Sequence, residues 1–458
     1  MTDTLHTAPV ATASVIAFGL AALAGVGGCS APCRADRDAA AARVPARPAA
    51  CREVALGAPL QEVVDAAHDG DVLCLAPGRH QGPLVVRRAV SIWGPPTAVI
   101  ASSGQGTTVV MKAAKAGLAG VTIDGSGTRY DQNDSGVTVT ADDVTIEGVT
   151  IVRATYGLQV EKAWRARLIG NHVIGSRDPA IGLRGDSIRL WETDDAEVAG
   201  NVVEDGRDLV VWYSRRAHVH GNRVERARYG THFMYSHDAR VEGNAYVDVT
   251  VGVFVMYSRG LALRGNVVAN AAGAAGIAFG FKDAGAAVVE DNLLVHDEVG
   301  IYLDASPQRA DEHIEIRGNA FRLCRSALVF HASSARIGLH GNDFGGNEII
   351  ARVDGGGDAL ADDWDGNYFD AYTGYDLDDD GTGDVPFELR SYTGQLVSRH
   401  PEIGFFAGAP ALSLTEAAAH LDPLFKPQAL LVDAHPRMAA VAGGAGAAAR
   451  ATAHRPEE

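Results

Sequence analysis

Asp208–Ser214 reads DLVVWYS, Gly230–Ser236 reads GTHFMYS and Gly252–Ser258 reads GVFVMYS. Tyr213, Tyr235 and Tyr257 thus recur every 22 residues, and Gly221-Asn222, Gly243-Asn244 and Gly265-Asn266 keep the same interval. A fixed period of about 20–50 residues marks a solenoid, in which one repeat cannot bury its apolar face alone and stacks on its neighbours. The Asn marker continues on both sides, at Asn171, Asn201, Asn319, Asn342 and Asn367, with Asp291-Asn292 substituting once. Eight of the nine markers are Gly-Asn, spaced 21 to 30 residues apart. A turn-forming Gly with a following Asn at one repeated corner predicts an asparagine ladder inside a parallel β-helix.

No amphipathic helical pattern lies between the markers, which removes helical repeats. Leu84–Val86, Val90–Trp93, Thr108–Met111 and Gly120–Ile123 are instead short, β-branched and bounded by turns. The sequence predicts an all-β chain, a right-handed parallel β-helix of about twelve or thirteen coils over residues 52–370. Its open end calls for a cap, because an uncovered edge invites pairing with another chain. Pro59–Ala67 (PLQEVVDAA) supplies a short helix with Leu60, Val63, Val64 and Ala67 on one face. Past Asn367 the repeat stops. Residues 371–400 hold an acidic segment, 401–438 an irregular, partly helical extension with a helix over Ser413–Leu421, and 439–458 a low-complexity Ala/Gly tail.

Composition narrows the partners. Forty basic against 57 acidic side chains give a net charge of −17. That disfavours nucleic acid or an anionic membrane surface and suits an exported protein or one that handles cations. Val15–Gly28 is an apolar run too short to span a bilayer comfortably. Val26-Gly27-Gly28-Cys29 resembles a lipobox, so residues 1–29 read as an export signal with lipidation at Cys29, and 30–51 as a flexible Ala/Arg/Pro tether. Cys51 and Cys74 flank the capping helix and are able to pair in an oxidising compartment, whereas Cys324 reads as a small core residue.

Strand alternation points Leu209/Val211, Thr231/Phe233 and Val253/Val255 inward, with Ile277/Phe279 and Ile301/Leu303 as their equivalents. Two outward rows follow: Arg189, Val210, His232, Phe254, Ala278, Tyr302, and beside it Trp191, Trp212, Met234, Met256, Gly280, Asp304. Met234 and Met256 sit one coil, about 4.8 Å, apart. Thioethers are soft donors that select Cu(I), His232 is placed to add an imidazole, and His237, His218 and His220 lie on nearby coil edges. The same face also reads as a protein-contact surface, with Trp191, Trp212, Phe254 and Asp304 joined by Phe405 and Phe406 of the extension. Asp376, Asp378, Asp380, Gly381 and Asp384 have the spacing of a Ca²⁺ loop, with Thr382 offering its carbonyl. Phe387 stands where the bidentate Glu would be, and a solvated acidic turn is the alternative. A polysaccharide-active enzyme would draw on Asp186, Arg189, Glu192, Asp208, His232 and Asp304. No acid pair falls on successive rungs, and a chain that is not an enzyme is expected.

The run from Ile188-Arg189-Leu190-Trp191 through RDLVVWYS, RYGTHFMYS and VGVFVMYS resembles the NosD family, periplasmic β-helical maturation proteins of nitrous-oxide reductase. The likeness continues through GIAFGFK (276–282), GIYLD (300–304), Phe330-His331, GNYFD (366–370), the Asp376–Asp384 loop and FFAGAPAL (405–412). It implies a non-enzymatic periplasmic protein that works with the separate ATPase and membrane subunits of an ABC transporter. It further implies copper supply to the reductase's copper–sulfur centre, a copper-chaperone lipoprotein as partner, and transporter docking through residues 401–438. The chain holds no Walker A motif, so ATP coupling has to come from partners.

Overall fold

A computed structural model describes residues 44–441 except 334, 407–408 and 422–426. The export signal with Cys29, most of the tether and the end of the Ala/Gly tail lie outside the described residues. The chain winds as a parallel β-solenoid with three faces. These are a first sheet of 14 strands, a second of 13 and a third of 12. One coil shows the path: Arg240–Glu242 on the first sheet, Ala245–Val247 on the second, Val251–Met256 on the third, then Leu261–Arg264 on the first again. Most strands on the first two sheets have only three or four residues, with an apolar centre turned inward. Val219, Val241 and Leu263 stack on the first sheet, Val224, Tyr246 and Val268 on the second, and Phe233 and Val255 on the third, all buried.

The corners explain the repeat. Gly221, Gly243 and Gly265 hold φ of 61°, 61° and 59°, the left-handed turn that glycine adopts without steric cost. The Asn after each of them points into the core. Asn244 Nδ2 donates to Val219 O and to Asn266 Oδ1, both at 2.9 Å, while its Oδ1 accepts the Asn222 backbone N–H. The same pattern runs from Asn171 to Asn367 and ends on Asp433, whose Oδ2 accepts from Asn367 N and Nδ2. The predicted asparagine ladder is therefore present, and a carboxylate from the C-terminal segment terminates it.

A second corner takes the same left-handed backbone with bulky residues. Tyr213, Tyr235 and Tyr257 have φ of 53°, 51° and 50°, strained values for such side chains. Each is held by a bond to the next coil, from Tyr213 N to Met234 O at 2.9 Å and from Tyr235 N to Met256 O at 3.1 Å. The rings stack, at centroid distances of 5.3 and 4.9 Å. Behind them the residues after each Tyr form a serine ladder, with Ser214 N donating to Ser236 Oγ and Ser236 N to Ser258 Oγ.

Both ends are covered. The helix Leu60–Asp65 buries Leu60 and Val64, and a Cys51–Cys74 disulfide ties the first strand's approach to Val72–Leu75. At the other end Phe387–Arg390 pairs antiparallel with Ala429–Asp433, and helices Tyr392–Arg399 and Pro410–Leu421 lie between these two strands in sequence. Cys324 is buried, and burial pushes its thiol up to about 12. Among the described residues no helix is long and apolar enough to cross a membrane.

Candidate metal-binding face

The outer surface of the third sheet carries the candidate residues, and its register corrects one expectation. Val253 pairs with Phe279, which pairs with Ile301, and Val255 pairs with Phe281, which pairs with Leu303. The equivalence drawn for Ile277/Phe279 is thus two residues out. The two rows run Arg189, Val210, His232, Phe254, Gly280, Tyr302, and Trp191, Trp212, Met234, Met256, Lys282, Asp304. The cause is Gly276. It precedes Ile277 as Gly252 precedes Val253, but Gly276 is a left-handed turn residue at φ 61° outside the strand, whereas Gly252 lies within one. Ala278 and Gly280 therefore yield their places to Gly280 and Lys282. Gly280 lacks the Cβ that would run into the Phe254 ring, so that ring lies over it. Lys282 Nζ meets Asp304 at 2.7 Å, which makes Asp304 half of an ion pair rather than a free carboxylate.

Alternation told correctly that His232 points away from the core, but not that it is covered. Only 7 % of its surface is exposed. Tyr229 stacks on its ring at 4.6 Å, Trp212 meets it edge-on at 5.4 Å, and Phe254 lies at 6.4 Å. Burial pushes its pKa down to about 4, with Asp208 opposing only in part, so the imidazole is neutral at pH 7. Asp208 is itself buried and ion-paired with Arg228. His232 Nε2 lies 3.3 Å from Met256 Sδ, and Met256 pairs in register with Met234 on the adjacent rung. One neutral imidazole nitrogen and one thioether sulfur thus meet beside an aromatic wall, with Met234 in register on the adjacent rung. This donor set fits Cu(I) better than a hard cation.

The other histidines are not gathered there. His237 lies beyond the Tyr235 corner, and its Nδ1 accepts the Arg259 backbone N–H at 3.3 Å. His218 and His220 stand on the first sheet, where they stack on each other and face Glu242 and Glu197. One neighbour of the site went unrecognised in the sequence. Tyr229, just before GTHFMYS, supplies half of the cover over His232. Arg189 lays its guanidinium over Trp191 and Trp212, at 4.8 and 5.7 Å from the ring centroids.

The acidic loop is separate. Carboxylate oxygens of Asp376, Asp378 and Asp384 lie within 4.8 Å of one another. Asp380 instead turns back to accept the Thr382 N–H at 2.7 Å, and Asp376 accepts from Gly381 N at 2.8 Å. The negative charges of Asp380 and Asp384 raise the Asp378 pKa, a repulsion that a bound cation would relieve. Phe405 and Phe406 are exposed, at 89 % and 58 %, and their rings touch edge-to-face at 5.4 Å.

With this geometry in view, residues 174–374 match the model of the family described as periplasmic copper-binding protein (NosD). That stretch, a little under half of the chain, is thus similar to the NosD family. It holds the whole His232–Met256 face and stops just short of the acidic loop. Two curated relatives are both named probable ABC transporter binding protein NosD. That of Pseudomonas aeruginosa is 32% identical over 126 residues, covering 27% of this chain and 29% of the relative. That of Stutzerimonas stutzeri is 25% identical over 412 residues, 80% of this chain and 86% of the relative. The catalytic unit of an α-1,3-glucanase from Streptomyces thermodiastaticus superposes with a TM-score of 0.52 at 14% identity, over 72% of this chain and 65% of that one. That likeness extends to the fold alone.

Proposed function

We propose that this NosD-type protein is a periplasmic, non-enzymatic accessory of nitrous-oxide reductase maturation, which takes Cu(I) as cargo at His232, Met234 and Met256 and presents it while docked to an ABC transporter. One observation carries the reading: a neutral, buried imidazole nitrogen 3.3 Å from a thioether sulfur, with a second methionine on the next rung. The matched family's description as periplasmic copper-binding protein and the relatives' names as ABC transporter binding proteins support the copper, periplasm and transporter parts of this reading. Trp191, Trp212 and Phe254 beside the site, with Phe405 and Phe406 of the extension, are the surface offered to the transporter subunits, a copper-chaperone lipoprotein and the reductase. Cys29 is the proposed lipid anchor. Asp376, Asp378 and Asp384, with Asp380 and Thr382 shaping the loop, are proposed to hold Ca²⁺ and brace the extension that contains the docking surface.

The carbohydrate-active reading gains no residue support. Asp186 and Asp208, its best-placed acids, are buried and engaged by Arg207 and Arg228. The test is complementation. A strain lacking this protein is supplied with wild type or with His232→Ala/Met256→Ala, and the copper content of its nitrous-oxide reductase is measured. Restoration by wild type but not by the double variant is expected. Equal restoration by both would remove the copper role from this face.

A further inference from the structure

The outer face of the first sheet carries alternating charges, and the partners of its carboxylates change along it. Glu197 meets Arg167 at 2.8 Å, and Glu290 meets both Arg264 and Arg317 at 2.9 Å. The strands Ile314–Arg317, Ile337–His340 and Asp363–Asp365 follow Glu290 on this sheet. Among the described residues, Glu315 and Asp363 there have no arginine or lysine within ion-pair distance, and histidines take that place. His313 Nε2 lies 3.2 Å from Glu315 Oε2, His340 Nδ1 lies 2.7 Å from Glu315 Oε1, and His340 Nε2 lies 3.1 Å from Asp363 Oδ2.

These groups surround a gap left by a glycine. Gly338 pairs in register with Glu315 on one side and Asp363 on the other, and His340 lies two residues along its strand, on the same face. A Cβ on Gly338 would stand 2.6 Å from Glu315 Oε2, 2.9 Å from His340 Cε1 and 3.2 Å from His313 Nε2. Two imidazoles and a carboxylate thus converge on one point, with a second carboxylate beside them. All four side chains reach solvent, from 19 % exposed for Glu315 to 74 % for Asp363. His340 turns a carbon toward the point, and a half-turn of its ring exchanges Cε1 with Nε2. Metal–ligand lengths of about 2.0–2.2 Å then require shifts of about 1 Å at the ends of flexible side chains. Neutral imidazoles with carboxylates suit a borderline divalent ion such as Zn²⁺, in contrast to the soft Cu(I) that thioethers select.

We propose that His313, Glu315 and His340, completed by Asp363, form a binding site for a divalent transition-metal ion such as Zn²⁺ above Gly338, on a different sheet from the His232–Met256 face. The ion joins three successive strands of the first sheet and replaces the hydrogen bonds between these imidazoles and carboxylates.

The test is Zn²⁺ competition between the demetallated full chain and a chromophoric chelator, in excess Ca²⁺ to keep the acidic loop out of the titration. Wild type is expected to take up one Zn²⁺ that His340→Gln binds at least tenfold more weakly. Gly338→Val keeps every ligand but fills the gap. Its side chain meets only the ends of flexible side chains, so it should fold and also bind at least tenfold more weakly. His218→Gln/His220→Gln removes the stacked histidine pair elsewhere on the sheet and should bind as wild type does. Circular dichroism reports whether each variant is folded, and should either His340→Gln or Gly338→Val fail to fold, the other decides. No Zn²⁺ uptake by wild type, unchanged affinity in folded His340→Gln or Gly338→Val, or loss in the His218/His220 variant instead overturns the proposal. Copper takes no part in the titration, so these outcomes stand apart from whether Cu(I) binds at His232 and Met256.

Discussion

Replacing Asn244 by Ala removes the middle rung of the asparagine ladder, and the loss follows from its bonds. Asn244 Nδ2 donates to Val219 O and to Asn266 Oδ1, and its Oδ1 accepts from Asn222 N and from Asn222 Nδ2. Asn266 Oδ1 keeps another donor, the Asn244 backbone N–H at 3.0 Å. Val219 O and Asn222 N lose these side-chain partners inside the core. Each buried backbone group so exposed costs about 1–3 kcal/mol, which for the two groups places Asn244→Ala at about 2–6 kcal/mol. Solenoids unfold in sections, so hydrogen exchange at Asn222 N–H and its neighbours is a better assay than one melting temperature. Asn244→Asp should be at least as damaging, because a carboxylate offers no donor to Val219 O. Asp433→Asn should cost about 1–3 kcal/mol, because Oδ2 accepts from Asn367, Oδ1 accepts the His435 N–H, and an amide nitrogen can replace neither oxygen. A loss below about 1 kcal/mol for Asn244→Ala would refute the ladder as a stabilising element.

Asp362 is buried, its Oδ2 has no partner, and burial raises its pKa to about 7. An acid whose folded pKa is raised contributes stability at low pH that is lost as pH climbs from about 4 to about 7. Asp362→Asn should therefore match wild type near pH 4 and melt higher than it at pH 8; equal melting at pH 8 would contradict the burial argument. Gly280→Val places a side chain against the Phe254 ring, and should cost about 1–3 kcal/mol by overpacking. If Phe254 then leaves His232, the His232 pKa measured by NMR should rise from about 4 toward 6.5, whereas an unchanged pKa would mean Phe254 is not part of the cover. Cys51→Ala/Cys74→Ala opens a loop of 23 residues in sequence separation and should lower stability by about 3 kcal/mol. The loss should show as faster exchange in Val72–Leu75, and an unchanged exchange pattern would count against it.

Much of the fold was legible because Gly-Asn encodes two things at once. The glycine marks a left-handed corner, and the asparagine carries both donor and acceptor for a ladder. The tyrosine corner was visible as a repeat but not as a corner, because a bulky residue at positive φ opposes local propensity and only the finished stack holds it. The register slip at Ile277 has a similar origin. Sequence cannot tell a glycine inside a strand from one in the turn before it, and Gly252 and Gly276 are one of each. At the candidate site, alternation gave the direction of His232 and the methionines. It did not reveal that Tyr229 and Phe254 cover His232, because cover comes from side chains on flanking positions and neighbouring coils. His218 and His220, close in sequence to Trp212, are carried round a corner to another sheet.

The copper reading stands or falls on Cu(I) affinity at a named pair of ligands. Competition of the reduced full chain against a chromophoric Cu(I) chelator, with wild type, Met256→Leu and Met234→Leu/Met256→Leu, measures it with the size of the row preserved. One Cu(I) per chain in wild type, at least tenfold weaker binding in Met256→Leu and a further drop in the double variant are predicted. Equal affinity in all three proteins would contradict the assignment of His232, Met234 and Met256 as the metal-binding face.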